Sequence, residues 1–289
     1  MAKIEGLIVA TPTPFDENDK INFDYVAKHL NYMQSNGAKG VVPSGTNGEG
    51  ASMSLAERKE LFRNVIENKG DLFVIPGTGC PSLPETIELT QAAEKMGADA
   101  ALVIPPYFFK NVSLDGLYNY YAAVLKSTSL PVLLYNIPGL SGIEISDQLI
   151  DRLAEFPNLL GVKDSSANLE RSMKYCWKHP NLNIYVGADV LIEGTANFGV
   201  KGILSGLANA FPALIAETMK LCAEGRGTEL QKKIARISDI FNSYPLFTSN
   251  KYALTFKGFP FAHMRAPMVD LNEEQKAAFA ADLRREELI

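Results

Sequence analysis

The sequence has little cysteine, histidine or tryptophan. Its three cysteines, Cys80, Cys176 and Cys222, stand far apart and form no Cys-x-x-Cys pair. That excludes a disulfide framework and a zinc knuckle, and it suits a reducing cytosol. The three histidines, His29, His179 and His263, are equally dispersed, so no His-x-x-x-His or mixed His/Cys cluster supports a metal. No run reaches the ~18 apolar residues that a membrane helix needs. The opening stretch MAKIEGLIVATPTPF has only a five-residue apolar core, broken by Thr and Pro, too short for a signal peptide, and the expected location is cytoplasmic. There is no basic stripe either: 28 Lys and Arg are scattered among 33 Asp and Glu for a net charge of −5, which argues against a nucleic-acid partner. Low-complexity linkers and internal repeats longer than one strand–helix unit are missing.

Short apolar runs ending in turn residues are what recurs. They are GLIVATP (6–12), GVVPSG (40–45), LFVIPG (72–77), AALVIPP (100–106), PVLLYN (131–136), LLGVKD (159–164), NIYVGAD (183–189) and GILSG (202–206). Each is rich in Val, Ile and Leu without strict polar alternation, as in parallel strands buried on both faces. Helical spacing fills the gaps. Residues 54–69 open on Ser54 with Glu57 three positions on, a capping box. Residues 83–96 stop at Gly97, a C-cap residue, and 113–126 and 146–156 each start with Ser. Eight strands alternating with helices predict a (β/α)8 barrel over residues 1–224. The competing doubly wound sheet lacks its Gly-x-Gly-x-x-Gly after the first strand. After a helix at 209–224, the stretches GRGTELQKKIARISDI, YPLFTSNKYALTF and NEEQKAAFAADLRREEL predict a three-helix extension over 225–289.

A barrel of this kind carries its chemistry at the C-terminal ends of the strands. Thr46 follows strand 2, Tyr107 strand 4 and Asp189 strand 7, while Tyr135, Lys163 and Ser205 end strands 5, 6 and 8. Gly161 and Lys163 share a parity on strand 6, as do Leu133 and Tyr135 on strand 5. If those parities face the axis, Lys163 and Tyr135 meet in the barrel mouth. An amine among apolar walls gives up its charge more readily, and a neutral lysine attacks carbonyl carbon to form a Schiff base. Lys163 is thus a candidate imine-forming lysine. A strand-end lysine can equally snorkel to water, and position alone does not separate the two readings. The rival Lys201 starts strand 8 and faces the opposite rim. Tyr135 can also be read as a core aromatic, and Asp189 and Ser205 as caps of the helices that follow. Tyr118, Tyr120 and Tyr121 read as packing residues of helix 4. Cys80 has no histidine paired with it in the sequence. The Gly-rich SGTNGEG lacks the lysine of a phosphate loop.

Three motifs in this order, GTNGEG (45–50), YNIPGLSG (135–142) and GVKDS (161–165), resemble those of the pyruvate-dependent class I aldolases. That family includes dihydrodipicolinate synthase, N-acetylneuraminate lyase and 2-keto-3-deoxygluconate aldolase, and the resemblance covers essentially the whole chain. It implies that Lys163 forms the Schiff base with pyruvate or a longer 2-keto acid. It implies that Tyr135 moves protons and that Thr46 hydrogen-bonds that tyrosine. Backbone amides around Gly45, Thr46 and Asn47 would hold the pyruvate carboxylate. Tyr107, Leu140, Asp189 and Ser205 complete the candidate substrate-contacting set. No metal, nucleotide or flavin cofactor is implied, and the expected assembly is a homotetramer, a dimer of dimers.

The departures bear on substrate. Where the synthase pattern places an arginine two residues after the motif proline, this chain has Leu140, and leucine cannot replace a bidentate fork. The acidic pair of the lyases is here Asp189-Val190. The tyrosine that the family lends across a subunit interface aligns with Phe108, with Tyr107 one residue earlier, and the second hydroxyl of the Gly-rich motif is Asn47. The expected activity is a Schiff-base-forming aldolase with pyruvate as one partner and a small aldehyde as the other, acting on a 2-keto-3-deoxy sugar acid. 4-Hydroxy-tetrahydrodipicolinate synthase and then N-acetylneuraminate lyase are the alternatives. A pyruvate-binding regulatory relative without turnover is a reading from another class: Phe108 and Asn47 favour it, and the intact Lys163, Tyr135 and Thr46 oppose it.

Overall fold

The computed structural model describes residues 3–245, 247–260 and 262–289. Met1 and Ala2 of the opening stretch, and Leu246 within YPLFTSNKYALTF, lie outside the described residues. All eight apolar runs form parallel strands: β1 (Gly6–Ala10), β2 (Gly40–Val42), β3 (Phe73–Val74), β4 (Ala101–Val103), β5 (Val132–Asn136), β6 (Leu159–Asp164), β7 (Asn183–Val186) and β8 (Gly202–Ser205). Their order is β3-β2-β1-β8-β7-β6-β5-β4. Backbone bonds of 2.9 Å from Asp99 N to Val74 O, Leu102 N to Pro76 O and Thr78 N to Leu102 O close the ring between β3 and β4. The first four strands stop short of the runs read from sequence because Pro12, Pro43, Pro76 and Pro105 have no N–H to give to a ladder.

Among the described residues, helices follow the strands: α1 (Val26–Ser35), α2 (Leu55–Glu67), α3 (Leu83–Met96), α4 (Leu114–Lys126), the short α5 (Pro138–Ser141), α6 (Asp147–Leu153), α7 (Leu169–Lys178), the short α8 (Ile192–Thr195) and α9 (Pro212–Ala223). The capping box at Ser54 and Glu57 is formed, and Gly97 ends α3 in the left-handed region at φ 87°. Beyond α9 come α10 (Thr228–Asn242), α11 (Thr248–Thr255) and α12 (Glu273–Arg285). Their Ile237, Phe241, Leu254 and Phe279 share one core with Leu7, Val9 and Ile215, so this segment packs onto the barrel wall near β1. Among the described residues no helix is long and apolar enough to cross a membrane.

The barrel interior is filled by alternate residues, Ile8, Val42, Ile75, Leu102, Leu133, Tyr185 and Leu204. One irregularity decides where Lys163 points. Val132 lies opposite Leu159, but Leu133 lies opposite Gly161, so Leu160 is an extra residue, a β-bulge. Leu159 packs outward against the helices, and strict alternation from there would turn Lys163 outward too. The bulge resets the parity and aims it at the axis. Gly161 makes the bulge possible: its φ is 156°, and a Cβ there would sit 1.9 Å from the Asn183 carbonyl oxygen. Gly161→Ala therefore pushes β6 off β7. The expected loss in chemical denaturation is about 3 kcal/mol, and a loss under about 0.5 kcal/mol would show that the strand accommodates the methyl group.

Candidate active site

Register places Tyr135 opposite Lys163 and Lys163 opposite Tyr185. Lys163 is 4% exposed, and its Nζ lies 4.0 Å from the centroid of the Tyr135 ring. Among the described residues no carboxylate forms an ion pair with it. Space for the side chain comes from Gly187 at the end of β7, where a Cβ would meet Lys163 Cε at 3.1 Å. The Asp-Ser-Ser turn after the lysine is tied down from outside. The Asp164 carboxylate accepts from Asn136 Nδ2 at 2.8 Å, Ser166 N at 3.1 Å and Ser172 Oγ at 2.7 Å. The strand tip is thus held rigid, with its amine inside and its carboxylate outside.

The phenol beside the amine is tuned. Burial alone would raise the Tyr135 phenol, but the positive charge of Lys163 and hydrogen bonds from Thr46, Lys163 and Ser165 bring it below the usual tyrosine value. Thr46 Oγ1 stands 3.3 Å from Tyr135 Oη. Thr46 belongs to the GTNGEG turn, which Thr13 anchors by donating to the Gly48 carbonyl at 2.6 Å.

Two cavities meet at Gly45, Thr46 and Tyr135. The larger, about 360 Å³, holds Lys163, Asn47 and Asp189 and is also lined by Ser238, Asn242 and Asn250 of the C-terminal segment. The smaller, about 160 Å³, holds Tyr107, Leu140 and Arg58. Of the candidate catalytic and substrate-contacting residues, Ser205 alone stays off both walls. It is fully buried, and its Oγ accepts from Ala208 N at 2.9 Å, the capping role. Phe108 points out, 73% exposed, edge-on to Phe109. Tyr107 faces the smaller cavity, and burial raises its phenol. Tyr120 and Tyr121 are packing residues whose hydroxyls donate to the Cys80 and Val103 carbonyls. Lys201 faces Glu5 at 3.6 Å. Burial pushes the Cys80 thiol up despite the Arg58 charge beside it, the reverse of an activated nucleophile. Among the described residues no group of three or more His, Cys, Asp or Glu could hold a metal.

Sequence reading missed Arg58. It is buried on α2, and its guanidinium donates to Ser44 Oγ at 2.8 Å and the Gly77 carbonyl at 2.6 Å, with the Cys80 sulfur at 3.0 Å. It therefore braces the loops after β2 and β3 against each other. No local pattern marks such a residue, because its partners are loop atoms distant in sequence.

Asp189 is the other perturbed group. Burial pushes its carboxyl up to about 6, against the pull of Ser205, the Leu207 N–H and Lys163, and its Oδ1 is buried without a hydrogen-bond partner. The folded state thus keeps a proton that the unfolded chain has already released. Stability from this group is present below the unfolded carboxyl value and is lost as pH rises through about 6, by on the order of 3 kcal/mol. His29, lowered to about 4 by burial, acts in the opposite sense, so the comparison must be with Asp189→Asn. That variant is expected to gain stability over wild type at pH 7 and not at pH 4; equal differences at both would contradict the assignment.

The sequence model of the dihydrodipicolinate synthetase family matches residues 3–286. The 4-hydroxy-tetrahydrodipicolinate synthase of Archaeoglobus fulgidus is 34% identical over 293 residues, covering 99% of each chain. Among solved structures, YagE, a prophage protein of the dihydrodipicolinic acid synthase family from E. coli K12 solved with pyruvate, matches with a TM-score of 0.94. It is 27% identical over 100% of both chains. The dihydrodipicolinate synthase DapA-2 of Bacillus anthracis matches with a TM-score of 0.94 at 30% identity, covering 98% of this chain and 99% of that one. With the match running through barrel and C-terminal helices alike, the chain belongs to the dihydrodipicolinate synthetase family, as a pyruvate-dependent lyase of the class I aldolase type.

Proposed function

We propose that the protein cleaves and forms 2-keto-3-deoxy sugar acids through an imine on Lys163. The observation that carries this is the buried Lys163 amine facing a phenol that Thr46 hydrogen-bonds. The amine, having lost its proton for the attack, adds to the keto carbon and water leaves, giving the imine. Tyr135 then takes the proton of the C4 hydroxyl as the C3–C4 bond breaks. The aldehyde departs, and the bond's electron pair enters the imine as an enamine. Protonation at C3 and addition of water release pyruvate and the free amine. The Gly45–Asn47 turn offers backbone N–H groups to the carboxylate.

Two features support a hydroxylated substrate over aspartate semialdehyde. Leu140 stands in the smaller cavity where the synthase arginine would be, and the C-terminal segment brings the polar Ser238, Asn242 and Asn250, together with Phe241 and Phe247, to the cavity that holds Lys163. The synthase reading keeps a place because the Archaeoglobus fulgidus relative carries that name. Exposed Phe108 and Phe109 support the homotetramer implied by the resemblance, and we take residues 1–224 as barrel and 225–289 as its extension, in a cytoplasmic enzyme. Incubation with pyruvate and borohydride is expected to add a stable mass on the peptide carrying Lys163. Turnover on a panel of keto-deoxy sugar acids, sialic acid and aspartate semialdehyde with pyruvate then ranks the substrates. Trapping elsewhere, or turnover of aspartate semialdehyde alone, rejects the proposal.

A further inference from the structure

Asn47 replaces a hydroxyl residue in the Gly-rich turn, and an amide brings a problem that a hydroxyl does not. A hydroxyl rotates to donate or accept, whereas an amide presents N–H on one side and C=O on the other. Which side faces the cavity must be decided by the protein. The deciding group comes from α11: Asn250 Nδ2 donates to Asn47 Oδ1 at 3.2 Å. With its oxygen engaged there, Asn47 directs its Nδ2 into the space left by the absent side chain of Gly206, beside which Asn250 Nδ2 also lies. A Cβ at Gly206 would lie 2.7 Å from that nitrogen. Asn47, Gly206 and Asn250 all line the cavity that holds Lys163. Asn250 adopts this orientation although its own Oδ1 is left buried with no partner.

We propose that Asn250 is a positioning residue that sets the polarity of the Asn47 amide, so that a donor rather than an acceptor meets the carboxylate of the bound 2-keto acid. This rests on the imine reading of Lys163. It gives the C-terminal segment a part in substrate binding, through one hydrogen bond between residues 203 positions apart. An oxygen turned toward the carboxylate would repel it; an N–H attracts it.

The polarity can be inverted by one atom. In Asn250→Asp the side chain only accepts, so Asn47 must turn its Nδ2 to it and present its oxygen to the cavity. The readout is the pyruvate concentration that half-saturates borohydride trapping, measured by intact mass. Asn250→Asp is expected to raise it at least about tenfold with the trapped fraction at saturation unchanged, and Asn250→Ala by a smaller factor. Adding Asn47→Thr to Asn250→Asp is expected to restore it to within about threefold of wild type, since a hydroxyl can donate whatever faces it. A half-saturation unmoved by Asn250→Asp, a lower plateau without a shift, or no rescue by the threonine overturns the proposal. Thermal melting of each variant identifies a fold defect, which the rescue would not repair. Absence of trapping in the wild type instead rejects the imine itself, and this inference with it.

Discussion

Lys163→Met is expected to abolish borohydride trapping and to lower turnover on the order of 10⁶-fold, the scale of removing a covalent nucleophile. The thioether side chain fills nearly the same volume as the lysine stem, and the site is 4% exposed. Removing a buried polar head in favour of a packed apolar one leaves stability unchanged or raised, so the melting temperature should not fall. Tyr135→Phe gives the complementary result. The amine remains, and trapping with pyruvate continues at a lower rate. Aldol cleavage falls about 10²–10⁴-fold, the usual contribution of a general acid–base group. If Lys163→Met keeps more than about a thousandth of wild-type turnover, the electron sink lies elsewhere.

Much of this was legible in the sequence, because it depends on local pattern. Val/Ile/Leu runs ending in turn residues gave all eight strands and Ser54 with Glu57 gave a helix start, whereas parity put Tyr135 and Lys163 together at the barrel mouth only on the condition that both face the axis, which the bulge in β6 decides. What escaped depends on atoms brought together from far apart. The bulge at Leu160 is invisible in an apolar run, since Leu159, Leu160 and Gly161 satisfy either parity. Arg58 looks like a surface residue of an amphipathic helix until the β3 loop supplies its acceptors. The sequence offers Ser205 as a candidate contact with capping as the alternative, and its hydroxyl is engaged by the Ala208 N–H. The role proposed for Asn250 depends on a partner 203 positions away in the sequence.

The largest expected effect on stability lies where the C-terminal segment grips the Gly-rich turn. Glu49 sits in that turn with a left-handed backbone at φ 53°, a conformation that a non-glycine residue holds only when its surroundings impose it. Its carboxylate is fully buried and paired with Lys251 of α11, itself 1% exposed. Lys251 Nζ also donates to the His263 carbonyl at 2.7 Å and lies 4.5 Å from the Phe15 ring centroid. Burial lowers the Lys251 amine while the Glu49 charge raises it, so the amine depends on that carboxylate to hold its proton. Lys251→Met strands the Glu49 charge without its cation and is expected to cost about 3–5 kcal/mol, as is Glu49→Gln in the opposite sense. The double variant, neutral on both sides, should recover most of that loss, giving a coupling above about 2 kcal/mol in a double-mutant cycle of urea denaturation. Additive losses would mean that each side chain acts through separate contacts. Because Glu49 is three residues from Thr46, Lys251→Met should also weaken pyruvate trapping, and the double variant should restore it together with stability.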